Sequence, residues 1–586
     1  MTGTTATPTA TTTSRSGGLT RRVKRLLFAA AVAAFGWFVV TFLFFPNLSV
    51  IDAVLRSDHG SVGQVASRLI DSGRVVGAVR DTLVIAVIST VTANVVGIAQ
   101  VFFLEAFAIR GRGFLTVAYA VPLVFGSIAA VTGYAMVYGE NGLITRTLQA
   151  VIPGLPDDWF SGMGAVIFVH TFTMTGYHFL FLRPAIRRVD FSMVEAARSL
   201  GMRPLPALFR VVLPVLKPTI LASVLMAFIS TLTSFAAPTI LGGAELTMIA
   251  PMIQSLSGLG RMDMAALLGL LLGAATTVLL VWALRQERRS GAVMSSKTPR
   301  PFEPIRLRGR GTKFLAYGAA YLLAIVNLAP LVVTALLSLA PVEAIRRGEI
   351  SPELTVEHYV RMLTNPTAYE PLVNSLTLAV LAIPLALVIG TVAAHLSYRS
   401  RRRFVGDVIQ LTMFLPYFLP GILVALGFLI AFGAGSALVG GQVLVGTYWI
   451  LPLAYTVLLL PVVSRFVTAT YAGLDPSLDD AARSLGASPT RRFLTVILPA
   501  LTPVLLQVAA LGFNDTLSEY TVSVMLYNIN NKPLGVTLGT LAAEQDPNLV
   551  GLTTAYVVTI TALSIVVVLF ADRMALRASR RGVGRR

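Results

Sequence analysis

Long apolar runs alternate with shorter polar segments along the chain after residue 25. A predominantly apolar run of 18 or more residues is typical of a transmembrane helix. The runs predict helices near residues 26–46, 82–108, 114–138, 163–182, 219–242, 264–284, 314–340, 374–396, 407–433, 447–468, 504–528 and 551–571. The pattern therefore predicts an all-α polytopic membrane protein with about 12 transmembrane helices.

The charge of the polar segments predicts their orientation. Most lysines and arginines fall in alternate segments, which are the N-terminal tail, 109–113, 183–218, 285–313, 397–406, 469–503 and the C-terminal tail. Cytoplasmic loops carry such an excess of positive charge. We therefore expect a multi-pass protein of the cell (inner) membrane with both termini cytoplasmic. The longer outer segments 47–81, 139–162 and 341–373 either bind an extracytoplasmic partner or simply connect helices.

One polar stretch occurs twice in the chain. Residues 195–218 and 480–503 align without a gap, and 12 of the 24 aligned positions are identical. All aligned residues are the same number of positions apart in the sequence as Gly201 and Gly486. Agreement of this length and regularity indicates an internal duplication.

The repeated stretch has the pattern of two short helices joined by a turn. Asp190 or Ser192 can cap the first helix of the first copy, and Asp475 can cap that of the second. Gly201 and Gly486 stand where a helix ends in the left-handed conformation. Because the stretch is polar and basic between membrane-length segments, we predict a structured cytoplasmic loop on which a partner docks.

The duplication divides the chain into two similar halves. The first domain is predicted at 26–284 with its loop at 190–218, and the second at 314–571 with its loop at 475–503. Six helices per half put both loops between the fourth and fifth helix, so the halves are parallel repeats. Residues 1–25 are predicted to be a disordered cytoplasmic tail, 285–313 a basic linker at the lipid surface and 572–586 a basic cytoplasmic tail.

Composition excludes several classes of protein. A chain that is 55% hydrophobic and 13% charged is unlike a soluble globule. The net charge of +19 is spread over alternate loops, which leaves no large basic patch for nucleic acid. The chain has no cysteine and no phosphate-binding loop of the Gly-x-x-x-x-Gly-Lys-Ser/Thr type. His170 and His178 are too far apart for a clean chelate, so no metal site is predicted. The sequence has no clustered set of catalytic side chains, and neither a catalytic residue nor a cofactor is predicted for this chain.

Polar residues near the ends of the fifth helix of each half are candidates for a pathway. The first half has hydroxyl groups there, including Ser230 and Ser234, and the second has Asn514, Asp515 and Glu519. A carboxylate at membrane depth is costly unless it faces water or a partner. The alternative is that the two carboxylates cap a helix break or pair with an arginine.

The two loops resemble the Glu-Ala-Ala motif of the membrane subunits of binding-protein-dependent ABC importers. The pattern is Glu-Ala-Ala, three residues, Gly, nine residues and Ile-x-Leu-Pro. It matches Glu195, Ala196, Ala197 and Gly201, and Asp480, Ala481, Ala482 and Gly486. Asp480 replaces the glutamate, and Val211 and Val496 replace the isoleucine. Two such domains in one chain look like the ferric iron permease group.

The resemblance implies a type I importer transmembrane domain, duplicated and fused, whose loops contact two copies of an ABC ATPase. ATP and Mg would be bound by those subunits, and an extracytoplasmic solute-binding protein would deliver the cargo. Ferric iron is the leading substrate, and thiamine, phosphonate, polyamine or sugar phosphate are alternatives. A secondary transporter with two parallel halves is a competing class, but it would not require the doubled loop. A membrane enzyme lacks a clustered set of catalytic residues.

Overall fold

The computed structural model describes most of the chain. The described residues are 26, 29–57, 60–140, 142–244, 246–293, 303–307, 309–347, 352–400, 402–544 and 546–583. The predicted tail at 1–25 lies outside them. The same is true of 294–302 and 308 in the predicted linker and of 584–586 in the C-terminal tail.

The first repeat is built from helices that follow one another with short connections. Its main described helices are α1 (Ala29–Leu55), α2 (Val62–Asp71), α3 (Gly73–Ala106), α4 (Arg112–Val124), α5 (Ser127–Tyr138), α6 (Leu143–Val151), α7 (Gly162–Arg187), α8 (Phe191–Ser199), α9 (Leu208–Leu232), α10 (Ala236–Leu241), α11 (Ile249–Gly258) and α12 (Met262–Val293). A short helical segment, Pro204–Ala207, leads into α9.

The second repeat follows the same plan. Its main described helices are α13 (Arg310–Leu337), α14 (Val342–Arg347), α15 (Glu357–Thr364), α16 (Pro366–Arg399), α17 (Arg403–Phe418), α18 (Gly421–Phe432), α19 (Ile450–Ala472), α20 (Pro476–Ser484), α21 (Pro489–Leu517), α22 (Ser523–Leu526), α23 (Leu534–Glu544) and α24 (Pro547–Val583).

Ten of the described helices are long and apolar enough to cross a membrane, and the count is twelve if each of two bent pairs is one span. The prediction of an all-α protein with about 12 transmembrane helices is confirmed. The constant sequence offset between the repeats also relates the bounds of equivalent helices in the two repeats. The regular helices Leu213–Leu232 and Leu498–Leu517 correspond residue for residue, and α11 and α23 begin at the equivalent residues Ile249 and Leu534.

Four helices that were predicted to be continuous are interrupted in the structure, so the prediction was wrong on this point. The predicted helix 114–138 is divided into α4 and α5, and 407–433 is the pair α17 and α18, bent by 102°. Pro420 precedes α18 and has no N–H to continue the ladder of α17. The predicted helices 219–242 and 504–528 end at Leu232 and Leu517, and short helices follow.

The first membrane-spanning helix of each repeat packs against the other repeat. Phe42 of α1 lies 5.5 Å from Phe432 of α18 between ring centroids, and the indole N–H of Trp37 donates to the carbonyl of Leu438 at 2.9 Å. Reciprocally, the hydroxyl of Tyr119 in α4 donates to the carbonyl of Ala320 in α13 at 2.8 Å. The first span of each repeat is therefore attached to the other repeat.

Candidate functional site

The first repeated loop is a capped helix followed by a left-handed turn. The carboxylate of Asp190 accepts a bond from the N–H of Ser192 at 3.0 Å and so caps α8. Gly201 has φ of 86°. The N–H of Met202 donates to the carbonyl of Ala197 at 3.0 Å, and that of Gly201 to Arg198 at 2.9 Å. These two bonds form a Schellman motif, as predicted for a glycine at this position.

The second loop repeats this geometry. Asp475 caps α20 through a 2.9 Å bond from the N–H of Ser477. Gly486 has φ of 76°, and its N–H donates to the carbonyl of Arg483 at 3.0 Å. The N–H of Ala487 donates to the carbonyl of Ala482 at 3.1 Å. Two turns of the same kind, at equivalent places in the two repeats, give the chain two matching loop surfaces.

The most exposed large apolar side chain of each loop is a leucine at the end of its first helix. Leu200 is 89% exposed and Leu485 is 88% exposed, and they occupy equivalent positions. The other equivalent motif residues of the two loops have similar degrees of solvent exposure. Ala196 and Ala481 are exposed, Ala197 is buried and Ala482 half-buried, and Glu195 is half-buried where Asp480 is exposed. The exposed leucine is the feature most unlike a solvated helix end.

The two loops are supported differently from below. In the first, Val194 and Ala207 are buried in one apolar cluster. At the equivalent positions of the second repeat, Asp479 and Arg492 form an ion pair of 2.7 Å instead. The first loop is thus held by apolar packing and the second by a charged contact. Because Asp479 is half exposed, this contact is weakened by solvent.

Three helix breaks meet around a cavity of about 520 Å³ between the repeats. They are the α4–α5 break, the α9–α10 break and the α21–α22 break. All five predicted pathway residues line this cavity: Ser230, Ser234, Asn514, Asp515 and Glu519. The structure therefore brings together, around one cavity, polar residues from two repeats that are far apart in the sequence. Their role in a pathway stays a prediction.

On the first-repeat side, the cavity wall includes hydroxyl groups that are paired with neighbouring side chains. The hydroxyls of Ser230 and Tyr177 lie 2.5 Å apart. His170 Nε2 lies 2.9 Å from the hydroxyl of Ser234. This wall offers neutral hydrogen-bonding groups to a solute.

On the second-repeat side, the two carboxylates have different surroundings. The backbone N–H groups of Val522 and Ser523 each donate to the Glu519 carboxylate at 2.8 Å, and the Ser523 hydroxyl donates to it at 2.5 Å. Glu519 therefore caps the turn that begins α22. Asp515 is exposed to the cavity and makes no hydrogen bond or ion pair with any residue that the structure describes.

Sequence reasoning missed the α7 side of the cavity. His170, Thr173 and Tyr177 line it, and so do Thr233 and Ser518 at the breaks. The signal was available in part, because His170, Thr173 and Tyr177 share one helix face at spacings of three and four residues. The other histidine of this helix, His178, lies elsewhere and is 3.1 Å from the side-chain oxygen of Asn94.

The α4–α5 break touches the α21–α22 break at a glycine. A Cβ on Gly126 would clash with the Oγ of Ser518 and lie 2.5 Å from its Cβ. We expect Gly126→Ala to lower the stability of the protein by about 1–3 kcal/mol through overpacking. The unfolding midpoint of the detergent-solubilised protein measures this change.

A second substitution makes this prediction specific. Ser518→Gly removes the clashing atoms, so the double variant should recover most of the lost stability, and the two effects should be non-additive. Simple addition of the two single effects would show that the two breaks are not in contact.

The fold and its site define a class. A duplicated bundle of membrane-spanning helices, with a polar cavity between the repeats and two matching loops, is a multi-pass transport protein. The family described as "Binding-protein-dependent transport system inner membrane component" matches residues 21–290 and 386–581. The chain belongs to this family and is a permease of the ABC importer class.

Relatives support this assignment. A probable ABC transporter permease protein, y4fN, of Sinorhizobium fredii is 38% identical over 95% of this chain and 98% of its own. A putative ferric transport system permease protein, FbpB 1, of Haemophilus influenzae is 23% identical over 83% of this chain and 75% of its own. A putative 2-aminoethylphosphonate transport system permease protein, PhnV, of Salmonella paratyphi A is 28% identical over 40% of this chain and 84% of its own.

Proposed function

We propose that this permease forms the membrane pathway of an ATP-driven importer and that one ATPase subunit docks on each of its two repeated loops. The observation that carries the proposal is the pair of loops with the same caps, the same left-handed glycine and an exposed leucine at the same place. Two equivalent docking surfaces on one chain favour a complex of one permease with two ATPase subunits.

The exposed leucines give the docking surfaces an apolar centre. Leu200 and Leu485 project from the helix ends α8 and α20, beside charged side chains such as Arg198 and Arg483. A large apolar side chain surrounded by a polar rim is typical of a protein–protein contact. Glu195 and Asp480, more than one helical turn earlier, would add a charged contact to the same partner. ATP and Mg would be bound by that partner.

The cavity between the repeats supports a pathway for a small polar solute. Its volume of about 520 Å³ is in the range of small-molecule sites. Ser230, Ser234 and Asn514 supply neutral polar groups, and Asp515 supplies a charge that can stay hydrated there. A solute-binding protein would deliver the cargo at the face opposite the loops. The loops and both termini would then be cytoplasmic.

Ferric iron is the cargo that we propose first. It is supported by the ferric transport relative, which shares the long architecture of this chain. The aminoethylphosphonate relative matches 40% of this chain and keeps phosphonates as the second candidate. Uptake of labelled ferric iron and of labelled 2-aminoethylphosphonate into cells that express the whole system, each against excess unlabelled competitor, distinguishes the two cargoes.

The docking surfaces are tested by changing the leucines. The double variant Leu200→Asp/Leu485→Asp should reduce the amount of ATPase that co-purifies with the permease by about tenfold or more, because a central apolar contact commonly contributes about 2 kcal/mol. Each single variant should lose up to about half of the ATPase, because the other loop still docks one subunit. Leu354→Asp is the matched control, since Leu354 is 69% exposed but lies outside both loops. If the double variant retained as much ATPase as Leu354→Asp, docking on these loops would be refuted.

A further inference from the structure

One buried carboxylate gathers three arginines near the first repeated loop. Glu105, near the end of α3, is 5% exposed. Its Oε1 lies 2.8 Å from Arg183 Nε and 2.7 Å from Arg187 Nη2, both on α7. Its Oε2 lies 3.1 Å from Arg112 at the start of α4. Glu105 therefore ties three helices of the first repeat together.

This carboxylate holds the helix that leads into the first loop. Arg187 is the last residue of α7, and Asp190, the cap of α8, follows three positions later. The guanidinium of Arg183 also lies over the ring of Phe179, 4.7 Å from its centroid. A displacement of α8 consequently acts on α7, and through the Glu105 contacts on α3 and α4.

The segment between the repeats is attached beside this cluster. We call residues 303–307 the linker strap. The N–H of Ile305 donates to the carbonyl of Ala106 at 2.8 Å, and the N–H of Ala108 donates to the carbonyl of Ile305 at 3.0 Å. Ile305 is 6% exposed. The strap thus pairs with the residues that directly follow Glu105 in the sequence.

The start of α13 continues this attachment. The hydroxyl of Tyr321 donates to the carbonyl of Arg110 at 3.0 Å, and the hydroxyl of Tyr317 accepts from the N–H of Arg110 at 3.0 Å. One apolar cluster contains the strap residue Ile305, Ala320 of α13 and Phe191 of α8. The first loop, the strap and the first span of the second repeat therefore share one packed unit.

The second loop is connected in another way. The positions equivalent to Arg183 and Arg187 in the second repeat are Thr468 and Ala472, so the arginines are not repeated. Near the end of α16, His395 Nδ1 lies 3.0 Å from the hydroxyl of Tyr471. The ring of His395 also packs on Phe493, with 4.7 Å between centroids. The charged cluster and the strap belong to the first loop.

We propose that Glu105 and the linker strap position the first loop and couple it directly to the second repeat, so that movement of α8 is transmitted to α13. The proposal rests on the proposed docking of the ATPase on the loops. Glu105 acts as a positioning residue, because it holds the arginines of α7 and lies away from the cavity lining. Its loss should separate ATP hydrolysis from cargo movement.

The test compares cargo moved per ATP hydrolysed in the complete complex, with its ATPase and binding protein, in lipid vesicles. Glu105→Gln should lower this ratio by at least about fivefold, the smaller end of typical coupling effects, and should leave ATPase association unchanged. Arg188→Gln is the matched control. Arg188 is exposed and adjacent to Arg187, but it is not among the three arginines on Glu105.

A second variant keeps the test decisive if Glu105→Gln does not insert. Ile305→Pro removes the N–H that binds Ala106, and Ile305→Leu preserves it. The sequence contains no cysteine, so Ser192→Cys on α8 and Phe314→Cys on α13 provide two unique labelling sites. The distance distribution between spin labels at these sites should broaden in Glu105→Gln and Ile305→Pro, and stay narrow in Arg188→Gln and Ile305→Leu.

An unchanged transport ratio and an unchanged distance distribution in both Glu105→Gln and Ile305→Pro would overturn the positioning role. That result is separable from failure of the docking proposal. If the Leu200→Asp/Leu485→Asp double variant releases the ATPase while Glu105→Gln remains fully coupled, the docking proposal stands and the positioning role falls. If the double variant retains the ATPase, docking itself is refuted.

Discussion

The Gly486→Val substitution is expected to abolish most transport while the chain still inserts into the membrane, and Gly201→Val to reduce transport less. Both glycines have positive φ, and a Cβ on either would meet no heavy atom within 4 Å. The cost is therefore conformational, about 1–2 kcal/mol or more for a β-branched residue. The second loop should respond more strongly, because it lacks the buried Val194 and Ala207 of the first loop.

Asparagine is the matched control for valine. It tolerates the left-handed conformation, so Gly201→Asn and Gly486→Asn should keep most of the transport activity. Uptake into vesicles, divided by the amount of inserted permease, measures the effect. Equal uptake by the valine and asparagine variants would mean that the turn geometry has no part in coupling.

The loops could be predicted from the sequence because their determinants are local. A cap at Asp190 or Asp475 and a glycine at the helix end act within a few residues, and the duplication presents each signal twice. The structure has the predicted left-handed glycines at Gly201 and Gly486. One detail differs, since Asp190 caps α8 and the alternative cap Ser192 donates its N–H to it.

The interruptions of the long helices could not be read from apolar length. A hydropathy pattern is the same for a straight helix and for two helices bent at Gly126 or Pro420. The break at Gly126 packs against Ser518, which comes from the other repeat and is distant in the sequence. Long-range contacts of this kind decide the shape of the cavity, although the polar residues that line it were visible one by one.

The ion pairs of Glu105 also depend on residues that are distant in the sequence. Sequence proximity predicts that Glu105 pairs at the interface with nearby Arg110 or Arg112. The contact with Arg112 is confirmed, whereas Arg110 contributes its backbone to Tyr317 and Tyr321. The closer partners, Arg183 and Arg187, come from another helix, α7. Sequence proximity therefore predicted that Glu105 forms an ion pair, but it did not predict that two of its partners lie on α7.

The structure distinguishes the two cavity carboxylates, whereas the sequence gives both the same candidate roles. Asp515 and Glu519 are one helical turn apart, and the sequence leaves both a pathway role and a capping role open for each. Glu519 accepts two backbone N–H groups and one hydroxyl. Asp515 faces the cavity with no such partner in the described part of the chain. The two residues should therefore respond differently to neutralisation.

Glu519→Gln should lower the stability of the permease and its uptake together. The amide keeps one acceptor oxygen and turns its NH₂ group toward a backbone N–H, which leaves a buried donor unpaired at a cost of about 1–3 kcal/mol. The unfolding midpoint in detergent should fall and less permease should accumulate in the membrane. A Glu519→Gln protein with normal abundance and midpoint but lost uptake would instead assign Glu519 to the pathway.

Asp515→Asn should impair uptake at normal abundance and with a normal unfolding midpoint. The substitution removes the charge that the cavity presents to a cargo and breaks no contact, because the carboxylate binds no described residue. Asp407→Asn is the control, since Asp407 on α17 is also exposed but does not line the cavity. A charge at membrane depth is retained at a cost that hydration or a passing solute can offset. Normal uptake by Asp515→Asn would remove this residue from the pathway and leave the neutral wall at Ser230, Ser234 and Tyr177 as the surface that the cargo meets.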